Sequence, residues 1–266
     1  MSAGLMEAAL AVLAEPDPSA KVALTHQAAQ AWRGGDLADL TTMGRQIPPA
    51  RPARPARPRL EPPRRMARRR GMGEEARRAL IHAIAHIELN AIDLAWDLIV
   101  RFGRPDFPPG FFADWVHVAD DEARHFSSLN ERLGELGSTY GDFPAHDGLW
   151  EAAEKTAHCL LFRLAVVPMA LEARGLDTTP NTVARLKAGG DARTAIILDG
   201  IAEDEINHVG AGRRWFEHFC GLRDKDPVAA FHDYISRGFG AILKPPFAVD
   251  ARARAGLGPD YYLMDK

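Results

Sequence analysis

Asp121-Glu122-Ala123-Arg124-His125 and Asp204-Glu205-Ile206-Asn207-His208 are two copies of one frame, Asp-Glu-x-x-His. On a helix, residues three apart project from the same face, so each copy presents a carboxylate beside an imidazole. A solitary Glu precedes each frame at a matched distance: Glu88 stands 34 residues before Glu122, and Glu172 stands 33 before Glu205. The chain therefore repeats Glu, then Glu-x-x-His. Four antiparallel helices turning these residues inward would gather four carboxylates and two imidazoles about one point, the ligand set with which helical bundles hold two iron or manganese ions. The expected fold is all-α: a four-helix bundle around a dinuclear site whose metal ligands are Glu88, Glu122, His125, Glu172, Glu205 and His208.

The rest of the chain is read around that repeat. A chain of 266 residues with 46% hydrophobic content suits one generous globular domain or two small ones. The longest apolar runs, Cys159 to Phe162 and Leu164 to Leu171, fall well short of the roughly 20 residues of a membrane span, so no membrane association is expected. Met1 to Glu15 has no cationic region and runs into Pro-Asp-Pro, which does not read as a secretory signal. Cys159 and Cys220 offer neither a disulfide framework nor a zinc spacing, and the expected setting is the reducing cytoplasm. The net charge of −3 hides an asymmetry, because Arg45 to Arg70 holds ten Arg against Glu61, a balance of +9, and leaves −12 on the remainder.

Helical composition over Ala3–Leu13 and Ala20–Trp32, with Asp36–Thr42 as a short third segment, makes residues 1–44 a helical N-terminal extension. Residues 45–72 form a Pro/Arg-rich strap, since Pro at nearly every third position forbids a helix and favours an extended path. Its arginines, Arg51, Arg54, Arg57, Arg64, Arg65, Arg68, Arg69 and Arg70, suit either phosphate groups of a nucleic acid or the acidic body they would wrap. The wrap is favoured, because the strap lacks the aromatic residues that stack bases.

Residues 73–244 are read as the bundle with a fifth helix. Its first helix starts after Gly73 with an apolar stripe Leu80, Ile84, Ile87, Ala91, Leu94, Leu98. Phe111–Leu136 is the second, Trp150–Arg174 the third, Ala192–Phe219 the fourth and Pro227–Leu243 the fifth. Asp177-Thr178-Thr179-Pro180 reads as a turn, and residues 245–266 as a tail without a period. Pro168, four residues before Glu172, removes the bond to the Leu164 carbonyl and is expected to kink the third helix beside a ligand.

Four carboxylates on the apolar side of helices demand compensating cations, because an unpartnered buried ion is costly. Carboxylate and imidazole donors without thiolates suit iron, with manganese as the alternative, and argue against structural zinc. Asp121 and Asp204 stand four residues before the histidines, where they can accept from imidazole N–H groups and orient the rings, or merely face solvent; Arg124 can pair with one of them. His82 and His86 stand six and two residues before Glu88 and do not share its face, so they read as core or surface histidines. His146, in a Gly- and Pro-containing loop, is a candidate substrate contact or a corner residue.

The segments His82–Asp97 (HAIAHIELNAIDLAWD), Asp120–His125, Tyr140–Ala153 (YGDFPAHDGLWEAA), Leu171–Asp177 (LEARGLD) and Asp204–His208 resemble an uncharacterised bacterial ferritin-like family, a domain of unknown function. More distantly, the chain is similar to ferritin-like tRNA hydroxylases. The resemblance runs over roughly Arg45 to Pro259 and implies the same bundle and the same six ligands. The function expected from residues and resemblance together is a di-iron, O2-dependent oxidoreductase of hydroxylase or oxygenase type. Its partners would be dioxygen and an unknown small-molecule substrate. The alternatives are a ferroxidase or iron-handling protein, a manganese catalase-like enzyme, and a tRNA-modifying hydroxylase.

Overall fold

The computed structural model describes residues 4–66, 71, 73–239 and 243–263, which are helical with no β-strand among them. They form two compact units, Met1–Trp150 and Glu151–Lys266. No helix among the described residues is long and apolar enough to cross a membrane.

In the first unit, α1 (Leu5–Ala14) buries Leu5, Met6, Ala9, Val12 and Leu13, an apolar track at helical spacing. The second helix, α2 (Pro18–Gly34), starts where Asp17 accepts from Ala20 N at 2.9 Å and stops at Gly35, whose φ of 86° ends it in a left-handed cap. Asp36–Thr42, expected to be helical, is turn and coil instead. The long helices α3 (Glu74–Phe102) and α4 (Pro109–Glu135) are joined by the short segment 103–108, and such a link makes them an antiparallel hairpin. The buried track of α3 runs through Ile81, Ala85, Leu89, Ile92, Trp96 and Ile99, whereas Ile87 of the expected stripe is 44% exposed.

A second track on α3 is polar. His86, Asn90, Asp93 and Asp97 recur at steps of four, three and four, and at ~100° per residue they lie about half a turn round from Glu88. All four are buried, so each needs a partner. Lys21 of α2 reaches Asp93 Oδ1 at 2.6 Å, Arg54 of the strap reaches Asn90 Oδ1 at 2.5 Å, and Arg101 takes Asp97 with Nε at 3.0 Å and Nη2 at 2.6 Å. The N-terminal helices and the strap are thereby tied to α3 by its polar face.

The strap is extended, as its prolines require, up to a single 3-10 turn at Pro63–Arg65. Ala53 N donates to Leu13 O at 2.8 Å, and Arg101 Nη2 donates to Pro49 O at 3.0 Å. Glu61 N to Ala145 O at 2.8 Å and Ala145 N to Arg59 O at 3.1 Å make one isolated bridge to the loop after α4. Arg51 and Arg54 both pair with Asp147 of that loop, Arg54 at 3.0 Å. Arg68, Arg69 and Arg70 lie outside the described residues.

The stretch expected to be one helix, Trp150–Arg174, is three pieces. First comes α5 (Gly148–Thr156), beyond which buried Arg163, and not a further helical turn, takes Ala153 O with Nη2 at 2.7 Å. Then α6 (Leu160–Val166) runs into a π-helical segment, Val167–Glu172, which holds Pro168. A ring that cannot donate and needs room is accommodated by one widened turn rather than by a broken helix. The chain continues as α7 (Ala173–Ala188), so Asp177-Thr178-Thr179-Pro180 is helical and not a turn. Burial of Leu176, Val183 and Leu186 against α8 outweighs the bond lost at Pro180.

Gly190, with φ 78°, and Asp191, which accepts from Thr194 N at 3.0 Å, turn the chain into α8 (Ala192–Gly221). The next helix is α9 (Pro227–Phe239); its expected end at Leu243 crosses 240–242, outside the described residues. The tail is not without structure, for it forms α10 (Val249–Arg254) and α11 (Pro259–Tyr262). Buried Arg252 of α10 grips Asp177 of α7 with Nε at 2.8 Å and Nη2 at 2.7 Å and holds the tail down.

Candidate metal centre

Each unit assembles one copy of the repeat. In the first, Glu88 of α3 and Glu122 and His125 of α4 are all buried, and each offers a ligand atom within 4.8 Å of the others. Nδ1 of His125 lies 3.2 Å from Glu88 Oε2 and 3.4 Å from Glu122 Oε2. In the second, Glu172 at the end of the π segment converges with Glu205 and His208 of α8 within the same 4.8 Å. His208 Nδ1 is 3.7 Å from Glu205 Oε1, so the same ring nitrogen meets the carboxylate three residues earlier in both copies. The π segment helps to set Glu172, because a widened turn rotates the next residues relative to a regular helix.

Electrostatics in the first unit match a site built for cations. Burial alone would lower the pKa of His125, yet hydrogen bonds and charge from Glu122 and Glu88 outweigh it and hold the ring up at about 11. Carboxylates and imidazoles, with no thiolate among them, form a hard to borderline donor set that fits iron or manganese. The chain therefore carries Glu/His groups that could hold a metal ion in each unit.

The neighbouring candidates fall out differently. Asp121 is buried and accepts from Arg124 Nη2 at 2.6 Å, the pairing expected of that arginine, and His117 Nε2 stands 3.6 Å from its other oxygen. Asp204 is half-buried on α8, one residue before Glu205. His146 belongs to neither metal-holding group. Its Nδ1 accepts from Gly148 N at 3.2 Å, and its carbonyl faces His86 Nε2 at 3.2 Å, so it shapes a corner. His82 and His86 are buried, and both hold that loop: Gly141 N donates to His82 Nε2 at 2.9 Å, and His86 Nδ1 meets Tyr140 Oη at 2.7 Å.

Sequence reasoning passed over a pocket of about 40 Å³ in the first unit, where Lys21, Arg54, His86, Asn90, Asp93 and Tyr140 meet an apolar wall that includes Leu60 and Leu89. Burial and the nearby Arg54 push His86 down to about 3, and burial pushes Asp93 up to about 6 against the pull of Lys21. The signal was present as Asn90, Asp93 and Asp97 inside the otherwise apolar stretch from Asn90 to Val100.

Comparison with known proteins gives the chain relatives but no described activity. Residues 14–263 match the family described as "Protein of unknown function (DUF455)". The chain is 43% identical over 199 residues to a Haemophilus influenzae protein described as uncharacterized, an alignment covering 73% of this chain and 69% of the relative. No solved structure matches it.

Proposed function

The chain belongs to the DUF455 family, and we propose that it is a dinuclear non-haem iron protein that acts as an O2-dependent oxidoreductase on a small organic substrate. The observation that carries this reading is the pair of matched triads, Glu88, Glu122, His125 and Glu172, Glu205, His208, one per unit with the same ring nitrogen turned to the carboxylate. In the proposal Glu88, Glu122 and His125 would hold iron, and so would Glu172, Glu205 and His208. Iron bound there would supply the redox chemistry of dioxygen, a task the side chains cannot perform alone. The protein's own contribution is orientation and exclusion of water. Nδ1 of His125 is already directed at Glu88 and Glu122, and the buried walls of the site leave little solvent to compete.

Metal analysis of the protein purified without added metal, followed by anaerobic ferrous loading and exposure to oxygen, tests the proposal. Two irons per chain and oxygen uptake are expected. Glu122→Ala or Glu205→Ala should remove most of the metal, since each would be a direct donor to it. Full metal retention in both variants would end the dinuclear assignment. Manganese with peroxide turnover would replace the oxygenase by a catalase, and a very large hollow assembly on size exclusion would replace it by iron handling.

A further inference from the structure

We infer that the second unit carries a binding cavity for a small organic oxyanion, a carboxylate with a short apolar chain, gripped by Arg252. A cavity of about 130 Å³ lies between the π segment, the start of α7 and the tail, walled by Ala170, Leu171, Arg174, Lys244, Phe247 and Arg252 among others. Arg252 is 1% exposed. Two of its nitrogens are spent on Asp177, and its guanidinium carbon lies 5.2 Å from the Phe247 ring centre and 4.7 Å from that of Tyr262. The third nitrogen, Nη1, is buried and has no hydrogen-bond partner among the described residues. A charged donor cut off from water forfeits the bonds water gave it, so a buried guanidinium edge without an acceptor marks a place for one.

Charge and size decide what the acceptor is. Arg174, Lys244 and Arg252 face Asp177 as the lining's one acid, and both Asp177 oxygens are already taken by Arg252, with Ala248 N adding a bond at 2.9 Å. The surplus is positive. An engineered cavity of about 150 Å³ admits a benzene ring, so this one admits a carboxylate or phosphate group and little more. Ala170, Leu171 and Phe247 make part of the wall apolar, which favours a carboxylate on a short hydrocarbon chain over free phosphate. Leu171 immediately precedes Glu172, so the bound anion would anchor a substrate beside that half of the metal site; this last step rests on the dinuclear reading, and the cavity itself does not.

Full-length protein freed of metal should be titrated by calorimetry with acetate, butyrate and inorganic phosphate at constant ionic strength. One saturable site is expected, with butyrate tightest. Arg252→Lys keeps the charge but removes the fork, and loss of one charged hydrogen bond should weaken binding about tenfold or more. Should that variant fold poorly, Arg174→Gln, whose side chain is 43% exposed, and Ala170→Leu, which fills the cavity, test the same site. Absence of a saturable isotherm for all three anions, or wild-type binding in every folded variant, overturns the inference; phosphate binding tightest overturns the carboxylate. In iron-loaded protein, butyrate should shift the metal's absorption, and intact binding with unmoved absorption overturns the anchoring role. Anion binding in a chain that takes up no iron on ferrous loading would instead sink the dinuclear reading and leave the cavity standing.

Discussion

His86 shows how a single buried ring ties stability to pH. In the folded protein, burial and the charge of Arg54 keep it neutral down to about 3. In the unfolded chain, an ordinary histidine takes its proton near pH 6.5. Between those values the unfolded chain binds more protons, so stability falls as pH drops from about 6.5 toward about 3, on the order of a few kcal/mol in all. His86→Gln removes that linkage while keeping a polar side chain for Tyr140. In urea unfolding at pH 7 and pH 4.5, wild type should lose about 2 to 3 kcal/mol more than the variant. Equal losses would reject the burial of a neutral ring. Asp93, pushed up to about 6, works in the opposite sense in both proteins, and the comparison cancels it. At the metal groups the corresponding test is milder: Asp121→Asn and Asp204→Asn should leave metal bound but weaken it about 10- to 100-fold, the usual scale for groups that orient ligands. Wild-type affinity in both would remove that role.

Among the elements, the π segment and α8 are matched to each other by a glycine. A Cβ at Gly212 would lie 2.5 Å from Pro168 Cβ, so α8 can approach the widened turn only where it has no side chain. Gly212→Ala should therefore destabilise by about 1 to 3 kcal/mol through overpacking. Gly200, on the same helix with nothing within 4 Å, gives the opposite sign, and Gly200→Ala should stabilise by about 0.5 to 1 kcal/mol. Thermal melts of the two variants separate them, and a stabilised Gly212→Ala would mean that α8 does not pack on Pro168 as described.

The same region marks where sequence reading stops. Period and caps were enough for α3, α4 and α8, because long amphipathic helices declare themselves. The third helix was not legible as three pieces, since its break depends on Arg163 reaching back to Ala153 O, a contact no local pattern encodes. Pro180 misled for a related reason: burial of Leu176, Val183 and Leu186 overrides a local breaker. In the tail, Arg252 reads as one more surface cation until Asp177 is seen 75 residues earlier.

On the scale of the whole chain, the internal repeat and the charge asymmetry were both visible in the sequence, and their structural meanings differ. The repeat maps one copy to each compact unit, and the six residues it singles out by spacing fall in Glu/His groups that could hold a metal ion. The strap's composition left two readings open, because arginines among prolines look the same whether they await phosphate or hold an acidic body. Its contacts divide it. Arg51 and Arg54 are engaged with Asp147, and Arg54 also bonds Asn90 and lies 6.0 Å from the Trp150 ring centre. Arg64 and Arg65, in the 3-10 turn, are exposed. Replacing Arg54 by Ala leaves buried Asn90 and Asp147 without that partner, a loss of about 1.5 to 3 kcal/mol, which in a chain of this size lowers the melting temperature by several degrees. Arg64→Ala with Arg65→Ala should melt like wild type. If the strap instead serves RNA, tRNA binding by the unmodified protein should weaken log-linearly with salt, and the exposed pair should carry part of that slope. An Arg54→Ala protein that melts unchanged, together with salt-sensitive tRNA binding lost in the exposed pair, would turn the strap from a wrap into a nucleic-acid arm. The hydroxylation proposed for the metal centre would then be directed at a nucleic acid rather than a free small molecule.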